Sequence, residues 1–565
     1  MDKPVDDTSA PAAYSTFDPF GIMPACAEVI LGWSKIPDTL QHRYYEFCIA
    51  LIEIQSQVAQ RSVGRFVKDP VVPVSYDKRF QDKAWVDSPW FDFLKEYYLL
   101  CTRSIEDAIY ATPDVPEKTR RRAAFWARQV LDAVAPNNFL WTNPAALVRF
   151  IGTGGLNLAE GYRHLVSDLL KGDVSMVKED AFRLGRDIAC TPGTVVFRNE
   201  LLELLQYAPA TTAVQTTPIV IVAPWINKYY VLDLAPPRSL IRYLVDQGFT
   251  VFVTSWRNPG AEMRDTRFDD YLTQGALAAI NTARAVCGVE AVHAVGYCIG
   301  GTLLATLMAW LARDENAKPP VAHWTQLTTL VDFSRPGDID AFITEESVAW
   351  LEKRMEETGY LDGRSMGTSF RLLRPNSLVW RYVVHSYLYG EEPPPMDVLQ
   401  WNVDCTRLPA AMHSFYLRRF YLENRMVEPE ALTVAGRLID LGLIRQPLYA
   451  VGTEQDHIAP WTETFRIAAL IPAPMRYTLA TSGHILGILV PPVHPPKRHY
   501  RSGDATGMKD PEAWRAGTKR VSGSWWEDWI QWLRERCGPT VPARTPGNPH
   551  YPPLGPAPGT YVLEK

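Results

Sequence analysis

The chain has 565 residues, 47% apolar and 21% charged, with a formal net charge of −5. That composition excludes a disordered or collagen-like polymer, and with no basic excess it gives no footing for nucleic-acid binding. At roughly one domain per 150 residues it allows three or four domains, and no uncharged apolar stretch reaches the ~18 residues that would span a membrane.

The first 15 or so residues read as a loose polar arm. MDKPVDDTSAPAAYSTFD lacks the basic-then-apolar pattern of a signal peptide. Cysteines at 26, 48, 101, 190, 287, 298, 405 and 537 form no CxxC and no dense framework, which fits a reducing compartment. A cytoplasmic protein is the expectation. From Phe17 to about Gly172 the periodicity is helical: Phe91, Leu94, Tyr98, Cys101 and Ile105; Ala124, Ala127, Leu131 and Val134; then Leu158, Tyr162, Leu165 and Leu169, stopped by Lys171-Gly172. The run Arg120-Arg121-Arg122 reads as a solvated helix face rather than a polyanion site. Residues 1–180 are therefore expected to form a mainly helical N-terminal domain.

Beyond 180 the pattern turns to short β-branched runs separated by helical segments: Pro218–Val222, Thr250–Thr254, Val292–Val295, Leu327–Val331, Pro447–Val451 and Arg476–Leu479. Such alternation predicts a parallel sheet covered on both faces. Between Val331 and Pro447 the rhythm breaks over more than a hundred residues rich in Tyr, Trp, Leu and Pro, which reads as a cap insertion at about 335–440. The tail is Pro-rich, with a helix expected around Trp525–Arg536 whose Trp525, Trp526, Trp529 and Trp532 read as packing rather than a ligand platform.

The sharpest local signal is Gly296-Tyr297-Cys298-Ile299-Gly300, entered by an apolar strand and left by the helical Thr302–Met308. This is the spelling of a nucleophile elbow, with cysteine where hydrolases usually carry serine. Glycines two before and two after allow close backbone approach, and the following helix N-terminus favours a thiolate. The fold class expected is thus α/β, of the α/β-hydrolase type: a mostly parallel sheet with helices on both faces and a cap insertion, spanning 181–565.

A thiol of pKa near 8.5 is only about 3% ionised at pH 7, so it needs a base. In this fold the acid and then the histidine follow the nucleophile along the chain. His484 lies in the Gly-bounded loop Thr481–Gly487 after the last expected strand of the sheet. Asp456 follows Leu448–Val451, with Glu454 as its rival and helix capping as the plainer role for either. His457 reads as a supporting neighbour. His293 reads as filler on the strand, and His494, His499 and His550 lie in Pro-rich segments without metal spacing. An oxyanion hole would use the Ile299 N–H and a donor from the loop 223–234, which includes Trp225. A cysteine thiolate exchanges one thioester for another at little energetic cost and can pass the acyl group to an alcohol or to water. Acyl transfer from a thioester donor such as acyl-coenzyme A is favoured, with hydrolysis the alternative.

These residues resemble the poly(3-hydroxyalkanoate) synthases of the class I, single-subunit type. The segments are FRNELLELLQY (197–207), PWINKYYVLDL (224–234), SWRNP (255–259), GYCIGG (296–301), LRPNSLVWRYVV (373–384), DHIAPW (456–461), SGHILG (482–487) and GSWWEDW (523–529), in order from about 190 to the C-terminus. The GYCIGG spelling is similar to the class that uses short-chain substrates. The resemblance implies that 3-hydroxyacyl-coenzyme A, 3-hydroxybutyryl-coenzyme A foremost, acylates Cys298 after His484 takes its proton. A 3-hydroxyl activated through His484–Asp456 then extends a polyester. It implies no cofactor beyond the coenzyme A thioester substrate and no metal. It also implies the growing polyester and granule surface as partners, a homodimer, and a location at cytoplasmic granules. Family members commonly carry a further cysteine where Trp225 stands, which argues against catalysis at that position. For Arg374, contact with coenzyme A phosphates and a structural salt bridge are both open. The rival functions are a cysteine-triad thioesterase or esterase and a non-catalytic granule-surface protein. The N-terminal domain would serve dimerisation, granule attachment or plain docking on the catalytic domain.

Overall fold

The computed structural model describes residues 18–65, 67, 68, 71, 77–178, 180–314 and 316–565. The polar arm expected at the N-terminus lies outside them. The chain forms two compact units, one comprising the chain up to Lys178 together with Thr368–Pro395, the other Glu179–Gly367 with Met396–Lys565.

The first unit is helical: α1 (Ile22–Ser34), α2 (Pro37–Ser62), α3 (Ala84–Asp87), α4 (Pro89–Tyr110), α5 (Glu117–Ala133), α6 (Pro144–Gly152) and α7 (Leu156–Lys171). Helices α4, α5 and α7 coincide with the three apolar stripes, and Gly172 ends α7 in the left-handed conformation at φ 68°. The stripe of α7 is not its buried face, however. Tyr162 and Leu169 are 69% and 71% exposed, while Asn157, Gly161 and Asp168 are buried. Those three face the segment 383–388: a Cβ at Gly161 would lie 2.0 Å from the Tyr387 carbonyl oxygen. Asp168 accepts from Tyr387 at 2.7 Å and Asn157 donates to the Leu388 carbonyl at 2.7 Å. Satisfied polar groups and one glycine, not leucines, make this helix contact. Residues 368–395, expected within the cap of the catalytic domain, thereby belong to the helical unit.

The second unit is built on an eleven-stranded sheet. Its strands are β1 (Gly193–Arg198), β2 (Leu202–Tyr207), β3 (Ile219–Val222), β4 (Val251–Trp256), β5 (Val292–Tyr297), β6 (Val321–Leu327), β7 (Leu448–Thr453), β8 (Met475–Ala480), β9 (His499–Asp504), β10 (Arg520–Ser522) and β11 (Gly555–Pro556), in spatial order β10-β9-β8-β7-β6-β5-β3-β4-β2-β1-β11. The six strands from β4 to β8 in that order run parallel, with antiparallel pairs on both flanks. The central strands β3, β4, β5 and β7 are buried along their whole length, as strands covered on both faces must be. One strand was misplaced by pattern: it is Val321–Leu327, and the Leu327–Val331 run is the loop beyond it. Here β6 carries His323, Trp324 and Gln326, whose polar atoms are satisfied inside the protein by His293, the Gln446 carbonyl and the Gly301 carbonyl. An apolar-run search does not see such a strand.

Candidate functional site

At the carboxyl end of β5 the chain turns into the helix Ile299–Ala312 through Cys298, which is held at φ 52°, ψ −125°. A non-glycine residue there is strained and persists only where its surroundings fix it. The fixing is visible. Cys298 donates its N–H to the Leu327 carbonyl at 2.9 Å, and its own carbonyl accepts from Gly301 N–H at 2.9 Å. A Cβ at Gly296 would lie 2.4 Å from the Gly301 Cα, and one at Gly300 would lie 2.4 Å from the Val222 carbonyl oxygen. The two glycines of the motif thus let the turn close on itself and press against the end of β3. Ile299, the first residue of the helix, has an amide with no partner four residues back in that helix.

Beyond β7, the Asp456 carboxylate accepts the Ile458 and Ala459 amides on Oδ1, both at 2.9 Å. On Oδ2 it accepts the Thr453 hydroxyl at 3.3 Å and meets His484 Nδ1 at 2.8 Å. A carboxylate only accepts, so Nδ1 carries the proton and Nε2 is left for the other neighbour. On its other side lies the Cys298 sulfur, near enough for its charge to raise the proton affinity of the imidazole. Burial opposes charge on His484, but the Asp456 carboxylate and then the Cys298 sulfur outweigh it and push the imidazole up to about 10. Burial likewise opposes charge on Asp456, and the His484 partnership holds it below the ordinary aspartate value. Both shifts favour an ion pair inside a closed site.

The expected Cys298, Asp456 and His484 are therefore brought together. Glu454 instead lies 3.9 Å from His499 Nε2. His457 adds only a weak favourable charge to Asp456. His293 is fully buried and pairs with His323 at 2.5 Å. His499 lies on β9 against Arg520, and His494 and His550 are exposed. Trp225 sinks its ring among Trp256, Phe268 and Tyr271, at centroid distances of 5.8, 6.3 and 4.7 Å. Its carbonyl accepts the Thr406 hydroxyl at 2.7 Å. Arg374 lies in the helical unit, on the segment that joins Gly363–Leu373 to Asn376–Trp380.

Sequence reasoning missed the aromatic enclosure. Tyr297 stacks on His484 with centroids 5.7 Å apart and planes at 26°, and its hydroxyl donates to the His484 carbonyl at 3.4 Å. Tyr416 and Tyr421, from the insertion, feel the Cys298 sulfur. Burial first, and then that neighbour among others, raises both phenols. Phe333 packs edge-on against them, at 6.0 and 4.8 Å. The phrase FYLRRFYLEN carries Tyr416 and Tyr421 among other aromatic residues, a pattern indistinguishable from core packing before the insertion is folded.

A strained cysteine turn, a buried acid and a histidine at the carboxyl ends of parallel strands define an α/β-hydrolase fold, and residues 219–490 match the family described by that name. Residues 76–244 match the family described as poly-beta-hydroxybutyrate polymerase (PhaC) N-terminus. A poly(3-hydroxyalkanoate) polymerase of Methylorubrum extorquens is 42% identical over 537 residues, covering 94% of this chain and 88% of that protein. The polymerase subunit PhaC of Cupriavidus necator is 40% identical, covering 96% and 90%. Polymerase 2 of Ectopseudomonas oleovorans is 38% identical, covering 88% of each. The chain belongs to the poly(3-hydroxyalkanoate) polymerase family. No helix among the described residues is long and apolar enough to cross a membrane, and no metal-binding cluster occurs among them.

Proposed function

We propose that this chain polymerises short-chain 3-hydroxyacyl-coenzyme A, 3-hydroxybutyryl-coenzyme A foremost, through a thioester on Cys298. The observation that carries this reading is the His484–Asp456 hydrogen bond at 2.8 Å beside the Cys298 sulfur, in a chain whose family is named for the polymerisation. His484 takes the thiol proton, and the Cys298 sulfur attacks the acyl carbonyl. Coenzyme A leaves as the thiol, protonated by the imidazolium, and the acyl group remains on Cys298. The Ile299 amide, at the positive end of its helix, is the donor offered to the oxyanion. In the second half, His484 removes the proton from a 3-hydroxyl. Its alkoxide attacks a neighbouring acyl thioester, one ester bond forms and one thioester bond breaks, and the polyester grows by one unit. The aromatic wall of Phe333, Tyr416 and Tyr421 supports this outcome over hydrolysis because it keeps water from the acyl-sulfur bond. The growing polyester and its granule, in the cytoplasm, are the partner surface this reading carries, and a homodimer is its assembly.

The test is coenzyme A release against polymer mass with purified protein and 3-hydroxybutyryl-coenzyme A. The expected result is released thiol matched by insoluble polyester, both lost in Cys298→Ala. Free 3-hydroxybutyrate in step with the thiol would make the chain a thioesterase. Full polymer yield from Cys298→Ala would remove the cysteine from the chemistry.

A further inference from the structure

His484 is carried by a segment that cannot hold its own shape. From Gly483 to Val490 the backbone makes little more than one irregular turn, closed by Gly487 N–H to the Gly483 carbonyl at 2.7 Å and by Ile488 and Leu489 N–H to the Ile485 carbonyl, both at 3.0 Å. An isolated turn of this length has no stability of its own, and of its last carbonyls that of Ile488 finds a partner within it, Val490 N–H at 3.0 Å. The chain that follows reads Pro491-Pro492-Val493-His494-Pro495-Pro496. Four of its six residues have no N–H to offer. Yet Gly487, Ile488 and Val490 are buried, so the carbonyls of Gly487 and Val490, and the second lone pair of the Ile488 carbonyl, call for donors from elsewhere.

They are satisfied by three consecutive side chains at the start of the Trp525–Arg534 helix. Trp525 Nε1 donates to the Gly487 carbonyl at 3.0 Å, and Trp526 Nε1 donates to the Ile488 carbonyl at 2.8 Å. Ser524 donates its hydroxyl to the Val490 carbonyl while the same oxygen caps the helix by accepting Trp526 N–H. On its other side the turn rests on the acid's strand. A Cβ at Gly487 would lie 2.5 Å from Thr453 Cγ2, and Thr453 is the residue whose hydroxyl bonds Asp456. One turn lower, the helix is tied to the sheet itself. Asp528 accepts from Tyr449 on β7, Arg476 on β8 and Ser502 on β9 at 2.7–3.0 Å, and Trp529 Nε1 donates to Thr325 on β6 at 3.0 Å.

We infer that Ser524, Trp525 and Trp526 are positioning residues for the proposed base: a clasp, anchored to four strands, that fixes the height and tilt of His484 between Asp456 and Cys298. The inference rests on the triad reading above and adds residues that touch neither substrate nor sulfur. It also explains why indoles stand here, since only an indole combines the bulk to fill a buried layer with an N–H aimed at a carbonyl.

Trp525→Phe/Trp526→Phe keeps both rings and removes both N–H groups. Trp529→Phe makes the same exchange on the same helix but releases only Thr325. Two readouts separate position from mere stability: kcat and KM for coenzyme A release, and the pH dependence of Cys298 alkylation by iodoacetamide, followed on its own peptide by mass spectrometry. In the double variant kcat should fall about tenfold to a hundredfold with KM within about twofold, as a misplaced base demands. The pH profile of Cys298 alkylation should change at the same time, because a displaced imidazole takes the thiol proton less readily. Trp529→Phe, which loosens only the anchor to β6 and leaves both carbonyl bonds of the clasp in place, should move both readouts far less. Ser524→Ala, which alters no indole, should shift the alkylation profile in the same direction by less. If the double variant and Trp529→Phe fall equally, or if neither moves the alkylation profile, the clasp is packing and the inference fails while the triad stands. If Cys298→Ala and His484→Ala retain coenzyme A release, the triad reading itself fails, whatever the tryptophan variants do.

Discussion

Both units bury ionised groups, and they do so to opposite ends. In the helical unit Lys95, Asp92 and Glu96 of α4 are buried together, with the Lys95 ammonium 3.0 Å from Asp92 and 3.4 Å from Glu96, and Arg61 of α2 2.8 Å from Asp92. Two cations meet two anions on regular helices, so the cluster neutralises itself and staples α2 to α4. In the α/β unit Asp456 and His484 sit on loops beyond strand ends, and their pair has a third member, the Cys298 sulfur. The same electrostatics makes a staple where charges are matched on rigid elements. Under the function proposed above, it makes a proton-handling device where one partner can still give or take a proton beside a strained cysteine turn.

The largest effect that sharpens this contrast belongs to Asp456→Asn. Asparagine can keep the amide contacts of Asp456 but cannot hold the imidazolium, so acylation by 3-hydroxybutyryl-coenzyme A should slow by about 10²- to 10⁴-fold with the melting temperature changed by only a few degrees. A rate within about threefold of wild type would remove Asp456 from the chemistry. The mirror-image substitution is Lys95→Met in the staple. Leaving Asp92 and Glu96 buried against Arg61 alone should cost about 3–5 kcal/mol in urea unfolding, while coenzyme A release per folded molecule stays at the wild-type value. A stable Lys95→Met protein with slowed release would break the division of labour between the two units.

What was readable in the sequence follows the same line. The meeting of Cys298, Asp456 and His484 was legible because each is placed by local chemistry: glycines at defined offsets around a strained turn, and an acid and a histidine in loops after apolar strands. Strand β6 was misplaced because its partners, His293, the Gln446 carbonyl and the Gly301 carbonyl, are distant in sequence and turn polar residues into core residues. Residues 368–395 were assigned to the wrong unit for a related reason. Gly161 against Tyr387 and Asp168 with Tyr387 are contacts more than two hundred residues apart, and no window of sequence contains them. Trp525 and Trp526 were seen as packing, which they are. That their N–H groups cap the loop of His484 depends on the prolines at 491–496 withholding donors, a consequence visible only once the helix lies beside the loop.

The smallest expected effect is the most direct on the pair itself. Because the folded imidazole holds its proton more tightly than a free histidine, its stabilising contribution is complete below about pH 6.5 and fades as pH rises through the folded value. The Asp456 contribution has the opposite sense, complete above about pH 4 and fading only as acid protonates the depressed carboxylate. The groups facing His484 are Asp456, Cys298 and the Tyr297 phenol, and the thiol is best removed from the comparison by working in Cys298→Ala. That change also takes away one of the charges raising the imidazole, so the remaining slope belongs to Asp456. In that background the unfolding free energy lost on adding His484→Gln should be greatest between pH 4 and 6.5. It should then shrink with rising pH, by no more than about 1.4 kcal/mol per unit. Adding Asp456→Asn should flatten that slope. A loss independent of pH from 6 to 9 would mean that the folded imidazole is already neutral, and the ion pair that distinguishes this site from the helical staple would not exist.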